Sequence, residues 1–83
     1  MTDPEDVVNT RQEVYGIISK LLDEQGRSSI EITDDSAIQD EGLGFDSLTV
    51  AEFSAKLEER FGKDPYTVGK YPATVRDVLA FYE

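Results

Sequence analysis

Apolar residues recur at helical spacing in separate stretches of this chain, and no stretch shows the sustained polar–apolar alternation of a half-buried strand. The clearest case is the stretch from 47 to 61, which Gly62 ends. Its apolar residues fall on one face of a helix: Val50, Phe53, Leu57 and Phe61. A chain of 83 residues can bury one modest core. The sequence therefore predicts an all-α fold in a single domain over residues 1–83.

Two further helices are predicted at the ends of the chain. In the first, Thr2 with Glu5, or Asp3 with Pro4, can cap the start, and Gly26 is a suitable stop. Its apolar positions are Val7, Val14, Ile18, Leu21 and Leu22. The last helix begins at Thr74, with Asp77 three residues further on. Its buried side is supplied by Val75, Val78, Leu79 and Tyr82.

The segments between these helices complete the expected architecture. Residues 27 to 46 form a long connection that we expect single apolar residues to hold to the core: Ile30, Ile32, Ile38, Leu43 and Phe45. The pattern allows a short turn of helix at residues 36 to 40. Residues 63 to 72 contain Pro65, Gly69 and Pro72, so only a brief third helix fits there. We predict a four-helix bundle with a long loop between helices 1 and 2 and a short third helix.

The composition excludes most catalytic chemistry. The chain has no Cys and no His, so it has no thiolate nucleophile, no Cys/His metal site and no His general base. We predict no catalytic residues. Between residues 31 and 41 acids are frequent, but the central Gly of a calcium-binding loop is missing, so no metal site is predicted.

The charge of the chain bears on its partners and location. A formal net charge of −10, from 18 acidic and 8 basic residues, disfavours binding to nucleic acid and to anionic membranes. It favours protein partners with basic patches, although acidity can also serve solubility alone. No apolar stretch reaches the length of a membrane span, and the acidic start carries no signal-peptide pattern. We expect a cytoplasmic monomer, and the Met1 start favours a stand-alone subunit.

Ser47 lies at the junction between the long loop and the second helix. Backbone N–H groups at a helix start favour an anion, so a phosphodiester on the Ser47 oxygen would suit this position. The simpler interpretation is that Ser47 caps the helix, a role that Asp46 could equally take.

A second face of the same helix is unusual for a solvated surface. Leu48, Ala51 and Ala55 cluster away from the core face, and Glu52 and Glu59 border them. This pattern indicates a docking surface beside Ser47. The alternative is that Leu48 packs under the long loop.

Asp46-Ser47-Leu48, preceded by Leu43-Gly44 and followed by an acidic amphipathic helix, resembles the acyl carrier protein family. The segments at 57–61 and 74–79 are similar to the ends of that family's second helix and to its last helix.

The resemblance implies a carrier domain rather than an enzyme. Ser47 would receive 4′-phosphopantetheine from coenzyme A through a phosphopantetheinyl transferase, and Asp46 would help to position the transferase complex. Acyl groups would be held as thioesters on the arm and presented to acyl-loading and acyl-processing enzymes with basic docking patches. The positions that partners touch in the family are matched here by Leu48, Ala51, Glu52, Ala55 and Glu59.

Some positions depart from the fatty-acid carriers. Thr49 stands where an acid is common, Ala51 and Ala55 are small, and Tyr66 and Tyr71 are unusual in the third-helix region. These differences favour a discrete carrier of a specialised polyketide or nonribosomal-peptide type of biosynthesis over primary fatty acid biosynthesis. Two alternatives remain open at this point: an aminoacyl or peptidyl carrier, and a small acidic helical adaptor without a prosthetic group.

Overall fold

A computed structural model describes the backbone of residues 4–82 and the side chains of residues 10–82. It contains three helices: α1 over Pro4–Glu24, α2 over Ser47–Phe61 and α3 over Val75–Phe81. Within the described backbone no strand forms, so the all-α prediction is confirmed. The predicted capping of α1 by Thr2 or Asp3 lies outside the described residues. No helix in this part of the chain is both long and apolar enough to cross a membrane.

The three helices turn their apolar faces to one core. On α2, Phe53 and Leu57 are fully buried, and Val50 and Phe61 pack against them from the edge. Helices α1 and α3 contribute the remaining helical core residues: Val14, Ile18, Leu21, Leu22, Val75, Val78 and Leu79. The helical periodicity of the sequence therefore identified these buried faces correctly, and the prediction for Val7 lies outside the described side chains.

The helix ends also follow local sequence signals. Gly62 has a φ of 80° and ends α2, its N–H bonding to the carbonyl of Glu58. Thr74 caps α3 and forms a capping box with Asp77. Both ends lie where the sequence predicted them.

The long connection between α1 and α2 is held to the core as expected. Ile38, Leu43 and Phe45 are buried, whereas Ile30 and Ile32 are partly buried against the core. No turn of helix forms at residues 36 to 40. Instead, Ala37 pairs with Thr74 in an isolated antiparallel bridge, which keeps this backbone extended.

Three short backbone segments meet around this bridge, and we call residues 36–38, 43–45 and 73–75 together the central seam. The Ile38 N–H donates to Ala73 O (2.9 Å), and the Ile38 carbonyl accepts from the Phe45 N–H (2.9 Å). The Val75 N–H donates to Ser36 O (3.1 Å), and the Leu43 N–H donates to Ala37 O (2.7 Å). Because two of these segments lead directly into α2 and α3, the seam fixes where both helices begin.

The short third helix is absent, so the four-helix prediction is wrong in this respect. Residues 65–69 form turns, in which the Gly69 N–H bonds to Tyr66 O (3.1 Å) and the Lys70 N–H to Pro65 O (2.9 Å). Gly69 then adopts a φ of 80°, which breaks any helical continuation. Pro72 further restricts the residue before it to extended backbone. Too few residues remain between these breaks to form a helix.

Side-chain contacts tie the helices to the connections. Asp34 in the long connection accepts hydrogen bonds from Arg11 (2.5 Å) and from the Tyr15 hydroxyl, both on α1. Two exposed ion pairs join other elements: Arg60 with Glu13 (2.6 Å) and Arg76 with Asp35 (2.9 Å).

Candidate functional site

Ser47 is the first residue of α2, and its side chain is exposed. The cap of the helix is Asp46, whose carboxylate accepts a hydrogen bond from the Thr49 N–H at 2.8 Å. The Ser47 hydroxyl makes no hydrogen bond within the described residues, so the interpretation of Ser47 as the helix cap is wrong. This hydroxyl is available for chemistry because the neighbouring residue does the capping.

The Asp46 carboxylate is stabilised in its ionised form. The Thr49 backbone N–H lowers the pKa of Asp46 below its ordinary value, with the Thr49 side chain and the charge of Arg27 acting in the same direction. A negative charge is therefore fixed beside the Ser47 hydroxyl at neutral pH.

The backbone leading to Ser47 is held from both sides. Leu43 and Phe45 are buried, and their N–H groups are bonded within the central seam. Gly42 lies so close to Ala37 that a Cβ built on it would sit 2.4 Å from the Ala37 carbonyl oxygen. Only glycine allows this approach without a shift of backbone, and the approach sets the path of the chain into α2.

A polar network, which the sequence analysis missed, flanks the start of α2 on the α1 side. Thr49 is 5% exposed, and its hydroxyl accepts a hydrogen bond from the Gln25 side chain at 2.7 Å. The side-chain amide oxygen of Gln25, Oε1, in turn accepts a hydrogen bond from the Arg27 guanidinium at 2.6 Å. A cation is thereby held near a surface that is otherwise acidic. In the sequence, this network was signalled only by Thr49, which stands where an acid is common in fatty-acid carriers. Its hydrogen-bond partners become visible only in the fold.

The second face of α2 is a free surface. Leu48 is 69% exposed, which contradicts the alternative that it packs under the long loop. The other members of this face are exposed as well, and we call the set the α2 outer face: Leu48, Ala51, Glu52, Ala55 and Glu59. Its position adjoins Ser47, whereas the buried Phe53 and Leu57 lie on another side of the helix.

A groove of about 530 Å³ runs between α2 and the segment that replaces the expected third helix. Ser47 lies at this groove, and its walls include Ala51, Ser54, Tyr66 and Tyr71. Sequence reasoning did not predict a groove, although it singled out the two tyrosines as unusual. An arm attached to Ser47 would thus begin beside a partly apolar channel with room for several heavy-atom groups.

The segment opposite α2 is ordered by a buried acid. Asp64 is 1% exposed and accepts hydrogen bonds from the Ser54 hydroxyl (2.6 Å), the Thr67 hydroxyl (2.6 Å) and the Thr67 N–H (3.1 Å). Burial alone would raise the pKa of Asp64, but these hydrogen bonds outweigh it and hold the pKa below its ordinary value. An ionised carboxylate therefore fixes this wall of the groove to α2.

Two acids of the long connection take part in ion pairs. Asp34 and Asp35 pair with arginines, and no group of three potential ligands able to hold a metal ion occurs among residues 10–82.

Comparison with known proteins gives one match. The family model described as PP-binding, phosphopantetheine attachment site, matches residues 12–66. This range includes α2, the loop before it and most of α1. No curated protein and no solved structure matches the chain.

Proposed function

Because this chain belongs to the family that the phosphopantetheine attachment site defines, we propose that it is an acyl carrier protein with its arm joined to Ser47. The prosthetic group of the family is 4′-phosphopantetheine, whose terminal thiol holds cargo as a thioester. The chain is thus a carrier that other enzymes modify and load. The adaptor without a prosthetic group is not retained, since the family is defined by the attachment of one.

The free hydroxyl at the start of α2 is the observation that carries the assignment to Ser47. Of the other serines in the matched range, Ser54 donates to Asp64 and Ser36 is paired with Thr33. Ser19 lies within α1, and Ser28 and Ser29 lie in the turn after it, so Ser47 is the one serine in this range at the start of a helix. Ser47 is exposed and has the ionised Asp46 beside it. In the transferase reaction its oxygen would bond to the coenzyme A phosphorus that bears the pantetheine, the bond from that phosphorus to the phosphate of the adenosine nucleotide would break, and the serine proton would pass to a base of the transferase.

The surroundings of Ser47 suit a phosphodiester. The N–H groups of Ser47 and Leu48, in the first turn of α2, make no hydrogen bond to the described part of the chain. Unpaired N–H groups and the positive end of the helix dipole both favour a negative group at this place. The groove next to Ser47 leaves space for the arm.

The α2 outer face supports the proposed partners. It offers an apolar centre, Leu48 with Ala51 and Ala55, and an acidic rim, Glu52 and Glu59. Charge complementarity then selects basic patches, as we propose for a phosphopantetheinyl transferase and for acyl-loading and acyl-processing enzymes. Carrier and enzyme must separate after each reaction, which a small contact of this kind permits.

The remaining particulars belong to the same proposal. Thr49 stands where an acid is common in fatty-acid carriers, and its network with Gln25 holds the positive charge of Arg27 beside the start of α2. This change of charge favours partners unlike those of fatty-acid carriers. We therefore assign the chain to a specialised polyketide or nonribosomal-peptide type of biosynthesis, acting in the cytoplasm as a monomeric single domain. An aminoacyl or peptidyl cargo is the alternative that loading experiments would reveal.

Mass spectrometry after incubation with coenzyme A and a broad-specificity transferase tests the assignment. The wild type should gain one phosphopantetheinyl group, and Ser47→Ala should gain none while keeping its thermal stability, because Ser47 has no capping role. Ser28→Ala, which alters an exposed serine in the turn after α1, is the matched control and should be modified normally. Modification of Ser47→Ala would refute the site, and an unmodified wild type would refute the carrier function.

A further inference from the structure

The hydroxyl of Tyr66 is an unpaired polar group in the interior. Its oxygen is the one buried side-chain nitrogen or oxygen among residues 10–82 that finds no hydrogen-bond partner. The ring is held edge-on against Phe53, with centroids 6.3 Å apart, and is tilted against Tyr71 at the same distance. A buried polar group without a partner destabilises a protein, so its presence needs an explanation.

The hydroxyl is a hydrogen-bond donor under all ordinary conditions. Burial, with the charge of Asp64 adding to it, raises the pKa of Tyr66 to about 12. A neutral phenol can give its proton to an acceptor oxygen and can also accept one hydrogen bond.

Tyr66 lies in the wall of the groove that reaches Ser47. The other half-buried hydroxyl in this wall, on Ser54, already donates to Asp64 at 2.6 Å. The ring of Tyr71 lies beside that of Tyr66, is 78% exposed and makes no hydrogen bond within the described residues. The buried Tyr66 hydroxyl can meet a chain in the groove only if neighbouring side chains move, and a rotation of Tyr71 would break no hydrogen bond.

We propose that Tyr66 selects the cargo of this carrier, its hydroxyl donating a hydrogen bond to a keto or hydroxyl oxygen of an acyl chain that lies in the groove. The inference rests on the proposed function, because the cargo must hang from an arm on Ser47. A plain alkyl chain in the groove leaves the buried Tyr66 hydroxyl unpaired. An oxygenated chain pairs it, so the protein holds oxygenated chains and holds alkyl chains poorly.

The test loads wild type and Tyr66→Phe with two synthetic arms through the transferase. One arm carries a saturated acyl chain and the other a β-keto chain of equal length. In the wild type the β-keto cargo should raise the Tm above that of the alkyl cargo by roughly 4–8 °C, the effect of about one hydrogen bond in a domain of this size. Tyr66→Phe should abolish this difference. Amide chemical shifts of Ala51 and Ala73, which also line the groove, should move with the β-keto cargo in the wild type alone.

Two controls separate selection from a structural role. Without any arm, Tyr66→Phe should melt at or above the wild-type temperature, because it removes only an unpaired hydroxyl. Tyr71→Phe, which alters the exposed ring beside it, should keep the difference between the two cargoes. Two results would overturn the inference while leaving the proposed function intact. One is an equal Tm of the wild type with both cargoes, and the other is a Tm of unmodified Tyr66→Phe below that of the wild type. A wild type that accepts neither arm would overturn both.

Discussion

At the scale of single residues, Gly42 and Gly16 differ in whether the structure requires glycine, a difference that the sequence alone does not show. A Cβ on Gly42 would meet the Ala37 carbonyl oxygen at 2.4 Å and its nitrogen at 2.5 Å. A Cβ on Gly16, inside α1, would have no atom within 4 Å. The first glycine is required by a close backbone approach, and the second only weakens a helix.

We expect Gly42→Ala to cost about 1–3 kcal/mol of unfolding free energy, because neighbouring backbone must shift to admit the methyl group. The shift passes through Leu43 and Phe45 to the start of α2, so modification of Ser47 should also slow. Gly16→Ala, the matched control, should raise stability by about 0.5–1 kcal/mol. Chemical denaturation and transferase kinetics measure both effects. A Gly42→Ala protein as stable as wild type would show that the close approach is not required.

Single residues also show where sequence reasoning reaches its limit. It located Ser47 at the right junction but left open whether Ser47 or Asp46 caps α2, because both side chains can accept the same hydrogen bond. The burial of Phe45 in the core decides which of the two following residues caps α2. That burial depends on residues far away in the chain. The unpaired hydroxyl of Tyr66 was likewise invisible, since a partner can only be missing once all neighbours are placed.

At the scale of elements, α2 has core residues on one face and the proposed docking residues on another. Leu48→Ala and Glu52→Lys alter the α2 outer face and should leave the Tm nearly unchanged. Phe53→Ala truncates a fully buried ring and should cost about 3–5 kcal/mol. Thermal melts of the three variants check this contrast.

The same variants should differ in transferase kinetics. Glu52→Lys should slow modification and weaken its dependence on salt, because rim charges mainly set association rates. Leu48→Ala should weaken docking at every salt concentration, because an apolar anchor mainly sets dissociation. If Leu48→Ala is modified at the wild-type rate, the docking surface lies elsewhere.

The helices could be predicted from the sequence because a buried apolar face leaves a periodic pattern. Within α2 the expected bounds, 47 to 61, agree with the structure. The sequence between α2 and α3 left the short third helix open, because glycine adopts either sign of φ and only the fold shows that Gly69 takes the positive value that ends a helix. The segment is ordered instead by Asp64, whose partners Ser54 and Thr67 are recognisable only after folding.

At the scale of the whole molecule, acids that bridge elements make stability depend on pH. Hydrogen bonds from Arg11 and then Tyr15 lower the pKa of Asp34, and hydrogen bonds lower that of Asp64 despite burial. Each carboxyl thus binds fewer protons folded than unfolded. Their contribution is present above the ordinary value of 3.8 and is lost as pH falls through the lower folded pKa values.

We therefore expect the Tm to fall steeply below about pH 4. Asp64→Asn should melt lower than wild type at neutral pH and should show a shallower fall below that point, since it lacks one of the titrating groups. Asp40→Asn, at an exposed carboxylate without a hydrogen bond in the described residues, should keep the wild-type slope. Melting curves between neutral and acidic pH compare the three proteins, and parallel curves for wild type and Asp64→Asn would contradict the assignment.

The central seam has a consequence for how the molecule opens. The amides of Ile38, Leu43, Phe45 and Val75 are bonded across segments, and all four side chains are buried in the core. Such amides exchange with solvent deuterium only when the cooperative unit comes apart as a whole. Ser47 follows Phe45 by two residues, so we expect the proposed attachment site to adjoin the slowest-exchanging backbone of residues 4–82. Local openings elsewhere within residues 4–82 can therefore occur without changing the surface that we propose a modifying enzyme binds.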